Sequence, residues 1–362
     1  MERNVAARLR LANQRLIGRP FADILETVRH LGAVQAQDYP GATWGLAQRT
    51  IPSVGGVDGA VDTLIADGAV IRTHVLRPTW HLVAREDLRD LLSLSAARIL
   101  RSDERRLREL NLDRRTVTRA VKAIARELAG GTTRSRPQLA EVLREAGIDP
   151  DGQRMPHILM AAELEGVICS GPRVGKQHGY ALLDERVPAR KGSFDRERAL
   201  SRLVTRYLRS HGPISIRDLA WWSGQTGADV RAAIDPEVFE AVVVEGEELF
   251  VARGTVRPRS QPAVRLLANY DEFLGSSHSR APSMERLPGV STMHPVLGRH
   301  VLVIDGQIVG GWKPRRTSQG IGMHVQALTR LSTQDRREIE VQSARYARFF
   351  GAQPQDVTIA RA

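Results

Sequence analysis

The run Leu31-Gly32-Ala33-Val34-Gln35-Ala36-Gln37-Asp38-Tyr39-Pro40-Gly41 sets two glutamines on either side of one alanine. Apolar residues precede the pair and a Tyr-Pro-Gly turn signal follows it. Residues two apart in a strand share a face, so a short strand or tight bend here turns Gln35 and Gln37 to the same side. Two primary amides aimed together offer donors and acceptors in one place. Such a pair can hold one water molecule in a fixed orientation; it cannot take the proton at neutral pH, but it can aim the oxygen. The plain alternative is two glutamines facing solvent, and spacing by itself does not choose between them.

Working outward, the 362-residue chain has room for two or three modest domains, and with 42% hydrophobic and 26% charged residues it has the makeup of a globular protein. Its one cysteine, Cys169, excludes an internal disulfide and a cysteine-based zinc cluster, and fits a reducing cytoplasm. Lys and Arg number 53 against 41 Asp and Glu, a net charge of +12 that suits a polyanion such as nucleic acid. A general arginine richness is the competing explanation, since arginine far outnumbers lysine. There is no apolar run of the roughly 20 residues a membrane span needs. Met1 to Arg10 has no signal-peptide core, so a cytoplasmic protein without a membrane partner is expected.

The periodicities predict helices over 3–17 and 21–31, a loop at Gly55-Gly56, a short helix over 61–66, and a strand running from Val70 towards Trp80. Helices followed by a strand pair make a winged helix, and this first unit (1–95) would hold Gln35, Gln37 and the His74–His81 strands together. Residues 96–132 form a basic helical connection. Ten basic residues between Arg98 and Arg126 face only Asp103, Glu104, Glu109 and Asp113, either as a phosphate-contacting face or as a solvated one.

A second winged-helix unit (133–190) has helices at 137–143 and 156–165, the latter in the place of a recognition helix. A wing follows, with Arg173, Lys176 and His178 at its tip as phosphate or groove contacts, or as a solvated turn. A third unit (191–254) has helices at 197–211, 216–222 and 228–234, with Trp221 and Trp222 expected in the core, and a strand pair at 239–244 and 248–252. From 255 to 362 the chain turns β-rich, with strands at 264–267, 301–304 and 308–312, a hairpin turn at Asp305-Gly306 and a closing helix over 335–349. Lys313, Arg315 and Arg316 are candidate phosphate contacts or ordinary surface residues. The expected fold class is α+β: three tandem winged-helix units with a small β-rich C-terminal region.

A second unusual run, Arg72-Thr73-His74-Val75-Leu76-Arg77-Pro78-Thr79-Trp80-His81, follows the glutamines. Together with Leu159–Gly179 (LMAAELEGVICSGPRVGKQHG), Gly212–Gly224 (GPISIRDLAWWSG) and Asn269–Leu274 (NYDEFL), these runs resemble the winged-helix DNA-binding family that contains the AlkZ and YcaQ DNA glycosylases, over roughly residues 5–320. In the AlkZ branch a glutamine–apolar–glutamine motif is implied to position the hydrolytic water, and Gln35, Ala36 and Gln37 match it. The YcaQ branch has an aspartate in place of the second glutamine, so Gln37 favours the AlkZ side. One departure is Ala268-Asn269, where a proline is expected before Tyr270; it bears on a turn rather than on chemistry.

The resemblance implies a DNA glycosylase acting on N7-alkylpurine lesions in double-stranded DNA. Bulky adducts and interstrand crosslinks are included, in repair or in self-resistance to a genotoxic natural product such as azinomycin. Gln35 and Gln37 would be catalytic, with Arg77 joining the candidate DNA contacts. No phosphate loop, dinucleotide fingerprint or Ser-His-Asp order appears, and His74 and His81 lack a third ligand at metal spacing, so no metal or cofactor is expected. No lysine neighbours the glutamines, which points to a monofunctional enzyme, and with no dimer seam in the sequence a monomer is expected. The other function class compatible with tandem winged helices is a non-catalytic transcription regulator, which has no use for the glutamine pair.

Overall fold

Local capping rules, more than hydrophobic periodicity, decide where the first helices start and stop. In the computed structural model residues 1–362 are described except 52–58, 257, 259–262, 278–282, 292–293, 299 and 362, so the expected Gly55-Gly56 loop lies outside the described residues. Helix α1 (Arg3–Asn13) stops short of the expected residue 17, because Arg15 takes a φ of +56° and turns the chain. Helix α2 (Ile24–Leu31) begins three residues later than expected. Asp23 caps it, its carboxylate accepting the Glu26 N–H at 2.7 Å, while Glu26 reaches back to the Ala22 N–H at 3.0 Å.

Strand β1 (Val34–Gln35) is only two residues long. Helix α3 (Tyr39–Ala47) corrects the sequence reading: Tyr-Pro-Gly opens a helix instead of a turn. Asp38 caps it by accepting the Gly41 N–H at 3.2 Å, and Pro40 sits in the first turn, where its missing N–H costs nothing. From Gly41 to Ala47 every residue of α3 is buried.

Next come α4 (Ala60–Ala66) and the antiparallel pair β2 (Val70–His74) and β3 (Trp80–Ala84). The strand expected to run on to Trp80 folds back instead: Leu76 takes a φ of +61°, and Pro78, which has no N–H for a ladder, occupies the turn. Helices α5 (Leu88–Glu109) and α6 (Arg114–Leu128) carry the basic stretch. Strand β4 (Arg134–Ser135), α7 (Arg136–Glu145), α8 (Arg154–Leu164), β5 (Ile168–Val174), β6 (Gln177–Leu182) and α9 (Leu183–Arg186) follow, the strands in the order β4-β6-β5.

The place of α8 is a correction. Met155 and all of Ile158 to Leu164 are buried, against Ile124, Leu139 and Leu143 among others, so this helix has no face left for a DNA groove. A helix that is apolar nearly all round belongs in a core. The wing also differs from expectation: both strands are longer, Gly175-Lys176 alone makes the turn, and Arg173 and His178 lie within the strands.

Helices α10 (Arg196–His211), α11 (Ile216–Ser223) and α12 (Gly227–Ala232) lead to the pair β7 (Phe239–Val244) and β8 (Glu247–Ala252). Ile214 bridges to Phe250 in β8, and the Ser215 hydroxyl caps α11 by accepting the Asp218 N–H at 3.2 Å. Of the tryptophan pair only Trp222 enters the core; Trp221 is 41% exposed, since adjacent helix residues point about 100° apart.

The remaining chain supplies β9 (Val264–Leu267), α13 (Glu272–Gly275), β10 (His300–Ile304), β11 (Gln307–Thr317), β12 (Gly320–Ala327), α14 (Thr333–Phe349) and β13 (Pro354–Arg361). They build a five-stranded sheet in the order β13-β12-β11-β10-β9, antiparallel except where α14 carries the chain from β12 to a parallel β13. Ile339, Tyr346 and Phe349 of α14 and Trp44 of α3 cover one face of the sheet, packing on Leu266, Leu302, Trp312, Met323 and Val325.

By their contacts the elements form two units. Met1–Gly59, Leu203–Trp222 and Thr226–Ala362 make one; Ala60–Arg202 with Ser223–Gln225 make the other. The glutamine pair falls in the first and the His74–His81 run in the second.

Candidate active site

In the first unit the stretch after β9 is tied to α3 by a buried ion pair. Arg49 Nη1 and Nη2 donate to the two carboxylate oxygens of Asp271 at 2.9 and 2.8 Å, with both side chains 1% exposed. Arg49 also donates to the Gly45 carbonyl at 2.8 Å and to Gln14 Oε1 at 2.7 Å. A planar, fully charged guanidinium suits such a two-pronged grip. Close approach makes two glycines necessary. A Cβ at Gly45 would lie 2.8 Å from Asp271 Oδ2, and one at Gly41 would lie 2.4 Å from the capping carboxylate of Asp38.

The ion pair delivers Glu272 beneath the glutamine strand. Glu272 Oε1 accepts the Gln35 N–H at 2.7 Å, and its other oxygen lies 3.5 Å from His211 Nε2; Glu272 is 1% exposed and His211 fully buried. His211 Nδ1 meets the Ser210 hydroxyl at 2.7 Å, and the Tyr207 ring stacks on the imidazole at 4.5 Å. Ala36 is fully buried, Gln35 half-buried and Gln37 exposed. Gln35 Oε1 borders Gly275, where a Cβ would come within 3.3 Å of it. Asp38 spends a carboxylate oxygen on the α3 cap. The pKa of His30, in the same unit, is held down to about 4 by burial first, with the nearby His211, Arg15 and Arg49 adding to it.

Sequence reasoning did not single out Glu272, Asp271 or Arg49. Asp271 and Glu272 stood inside the quoted NYDEFL run, but nothing in one sequence says that they pair with residues more than 200 positions away. Gln14 and His211 carry no sequence signal at all.

In the second unit His74 Nδ1 pairs with the Glu163 carboxylate, which also takes the His74 N–H at 3.2 Å. His81 is fully buried, its Nδ1 on the Thr79 carbonyl at 3.0 Å, and burial first, then Arg77, pushes its pKa well below the usual histidine value. Among the described residues no group of three or more His, Cys, Asp or Glu is placed to hold a metal.

The candidate DNA contacts divide by unit. In the second, Arg77 is half-buried in the turn between β2 and β3, Lys176 is exposed at the wing turn, and Arg173 donates to Asp62 at 2.7 Å. Burial, with Arg72 and Arg173 nearby, lowers His178 to about 4, so it is neutral at physiological pH. In the first, Lys313, Arg315 and Arg316 are exposed on β11, and Arg316 lies over the Phe350 ring at 5.2 Å. Strand alternation puts Lys313 and Arg315 on one face and Arg316 on the other.

A family model for AlkZ-like DNA glycosylases matches residues 28–349, and the chain belongs to that family: it is a DNA glycosylase. No curated protein matches it. Among solved structures it is similar to the DNA glycosylase AlkZ of Streptomyces sahachiroi, 24% identical, with 99% of each chain covered and a TM-score of 0.75. That likeness speaks to the fold. No helix among the described residues is long and apolar enough to cross a membrane.

Proposed function

We propose that the enzyme hydrolyses the N-glycosidic bond of N7-alkylated purines in double-stranded DNA, with Gln35 and Gln37 positioning the water. The observation that carries this reading is the Gln35-Ala36-Gln37 strand end: the alanine is buried, the two amides are not, and a buried carboxylate pins the Gln35 main chain. Alkylation at N7 leaves the base positively charged. The C1′–N9 bond then breaks with its electron pair going to the base, and the sugar becomes oxocarbenium-like. The glutamine oxygens stabilise that cation and orient the water whose oxygen adds to C1′, its proton passing to solvent. The products are a free alkylpurine and an abasic site. Strand cleavage does not follow, since no lysine adjoins the pair.

Bulky adducts and interstrand crosslinks are within this substrate range, and the biological setting is repair or self-resistance to a genotoxic natural product. The enzyme acts as a monomer in the cytoplasm.

Three winged-helix units underlie the fold in this reading. The order helix, short strand, helix, helix, hairpin recurs as α2-β1-α3-α4-β2-β3, as α6-β4-α7-α8-β5-β6 and as α10-Ile214-α11-α12-β7-β8. These correspond to 1–95, 133–190 and 191–254, with the second taking α6 from the basic 96–132 connection and with 255–362 as the C-terminal region. Arg77, Lys176, Lys313 and Arg315 contact phosphates. Arg173 does so on releasing Asp62, His178 as a neutral N–H donor, and Arg316 most weakly.

The test is an end-labelled duplex carrying 7-methylguanine and another carrying an azinomycin crosslink, each treated with alkali after reaction. Cleavage only after alkali, lost in Gln35→Ala and Gln37→Ala while duplex affinity stays within a few fold, is the expected result. Full activity in both variants removes the water-holding role.

A further inference from the structure

Tyr270 stands where the backbone calls for glycine. The Asp271 N–H donates to the Ala268 carbonyl at 3.2 Å, closing a four-residue turn whose third residue, Tyr270, takes a φ of +61°. Turns with positive φ at the third position take Gly or Asn, because a bulky Cβ crowds the following carbonyl. A large aromatic in this conformation persists only when its surroundings force it there, and such strain gathers at functional sites. The surroundings do force it. On one side Asn269 is held by its main chain, whose N–H donates to His300 Nδ1 at 2.9 Å; on the other Asp271 is gripped by Arg49. Those contacts fix the backbone on both sides of Tyr270 and leave its side chain partly exposed.

No ring contact or hydrogen bond of the Tyr270 side chain offsets the strain among the described residues, and the residue is 42% exposed. Its place is informative. A Cβ at Gly275 would lie 3.2 Å from the Tyr270 carbonyl oxygen and 3.3 Å from Gln35 Oε1, so the strained residue and the glutamine oxygen flank the same glycine.

We propose that Tyr270 is a substrate-binding residue whose ring stacks on the positively charged alkylpurine and so sets the preference for damaged over intact bases. This rests on Gln35 as the water-positioning residue. An aromatic face attracts a cation beyond what stacking alone supplies, and an N7-alkylated purine is a flat cation, whereas an undamaged purine is neutral. An exposed ring on the residue whose carbonyl shares Gly275 with the glutamine oxygen would therefore engage the one property that separates the lesion from the normal base.

The experiment compares two uncleavable duplexes. One carries 2′-fluoro-7-methylguanine, which is cationic and resists hydrolysis; the other carries 7-methyl-7-deazaguanine, which has the same shape and no charge. The enzyme is expected to bind the cationic duplex about tenfold more tightly. Tyr270→Phe keeps this preference. Tyr270→Asn abolishes it and slows single-turnover excision of 7-methylguanine, while its melting temperature stays the same or rises, because asparagine tolerates the left-handed backbone. Retention of the preference by Tyr270→Asn overturns the proposal, and so does a loss accompanied by a fall in melting temperature, which marks a structural residue. Gln35→Ala separates the two readings: it is expected to keep the preference and lose excision. Excision retained in Gln35→Ala counts against the water-positioning reading and leaves the binding comparison standing.

Discussion

At the residue scale, the glutamine pair depends on groups buried beneath it. Glu272 holds the Gln35 N–H at 2.7 Å, and a glutamine in its place keeps an oxygen acceptor. Glu272→Gln is therefore expected to retain single-turnover excision within a few fold. Glu272→Ala strands the N–H, at a cost of about 1–3 kcal/mol, and lowers excision further; the two rates, measured beside melting curves, check this. Arg49 is a stiffer requirement. Arg49→Ala leaves the Asp271 charge buried without its partner, which costs about 3–5 kcal/mol and shows as a lower urea midpoint. An unchanged midpoint would mean that the pair does not hold the turn. The sequence could offer Gln35 and Gln37 as candidates because their spacing is local. It was silent on Arg49, Asp271 and Glu272, whose meaning comes from pairing across the chain.

At the scale of elements, local signals served well where a helix or hairpin is closed by its own residues, as with the Ser215 cap of α11 or the Asp305-Gly306 turn between β10 and β11. They failed where tertiary context decides. Tyr39-Pro40-Gly41 opens a buried helix because Asp38 caps it, and β13, with its half-buried and exposed residues, is a strand only because it pairs with β12. Lys313-Pro314-Arg315-Arg316 extends β11, and its alternation yields a differential prediction. Lys313→Ala and Arg315→Ala are each expected to reduce the slope of log affinity against log salt by about 0.9, the signature of one lost phosphate contact. Arg316→Ala should change it less, since Arg316 faces the other way over Phe350. Equal slopes in all three variants and the parent enzyme would remove this hairpin from the DNA contacts. Fluorescence titrations of a lesion duplex at several salt concentrations provide the slopes.

At the scale of the whole molecule, some of the basic residues read from the sequence are paired with carboxylates of the protein. Glu109 draws in Arg105 and Arg106, and Asp62 draws in Arg173, so the count of 53 basic residues overstates how many are available to DNA, while the net charge of +12 already discounts the carboxylates. Histidine sets a second global property. Burial lowers His30 and His178 to about 4, and holds His81 well below its ordinary value. In the unfolded chain these groups take up protons near pH 6.5. Between about 6.5 and about 4 the unfolded state therefore binds protons that the native state refuses, and by linkage stability falls as pH falls through that window. Above it these histidines are neutral in both states and contribute no slope. His30 belongs to the first unit, His81 and His178 to the second, so acid weakens both. The urea midpoint is expected to be lower at pH 5 than at pH 7, and His178→Asn, which removes one titrating group at a half-buried position, should narrow the gap. Equal midpoints for the parent enzyme at the two pH values would show that the native histidines are protonated as readily as unfolded ones, and that burial does not keep them neutral.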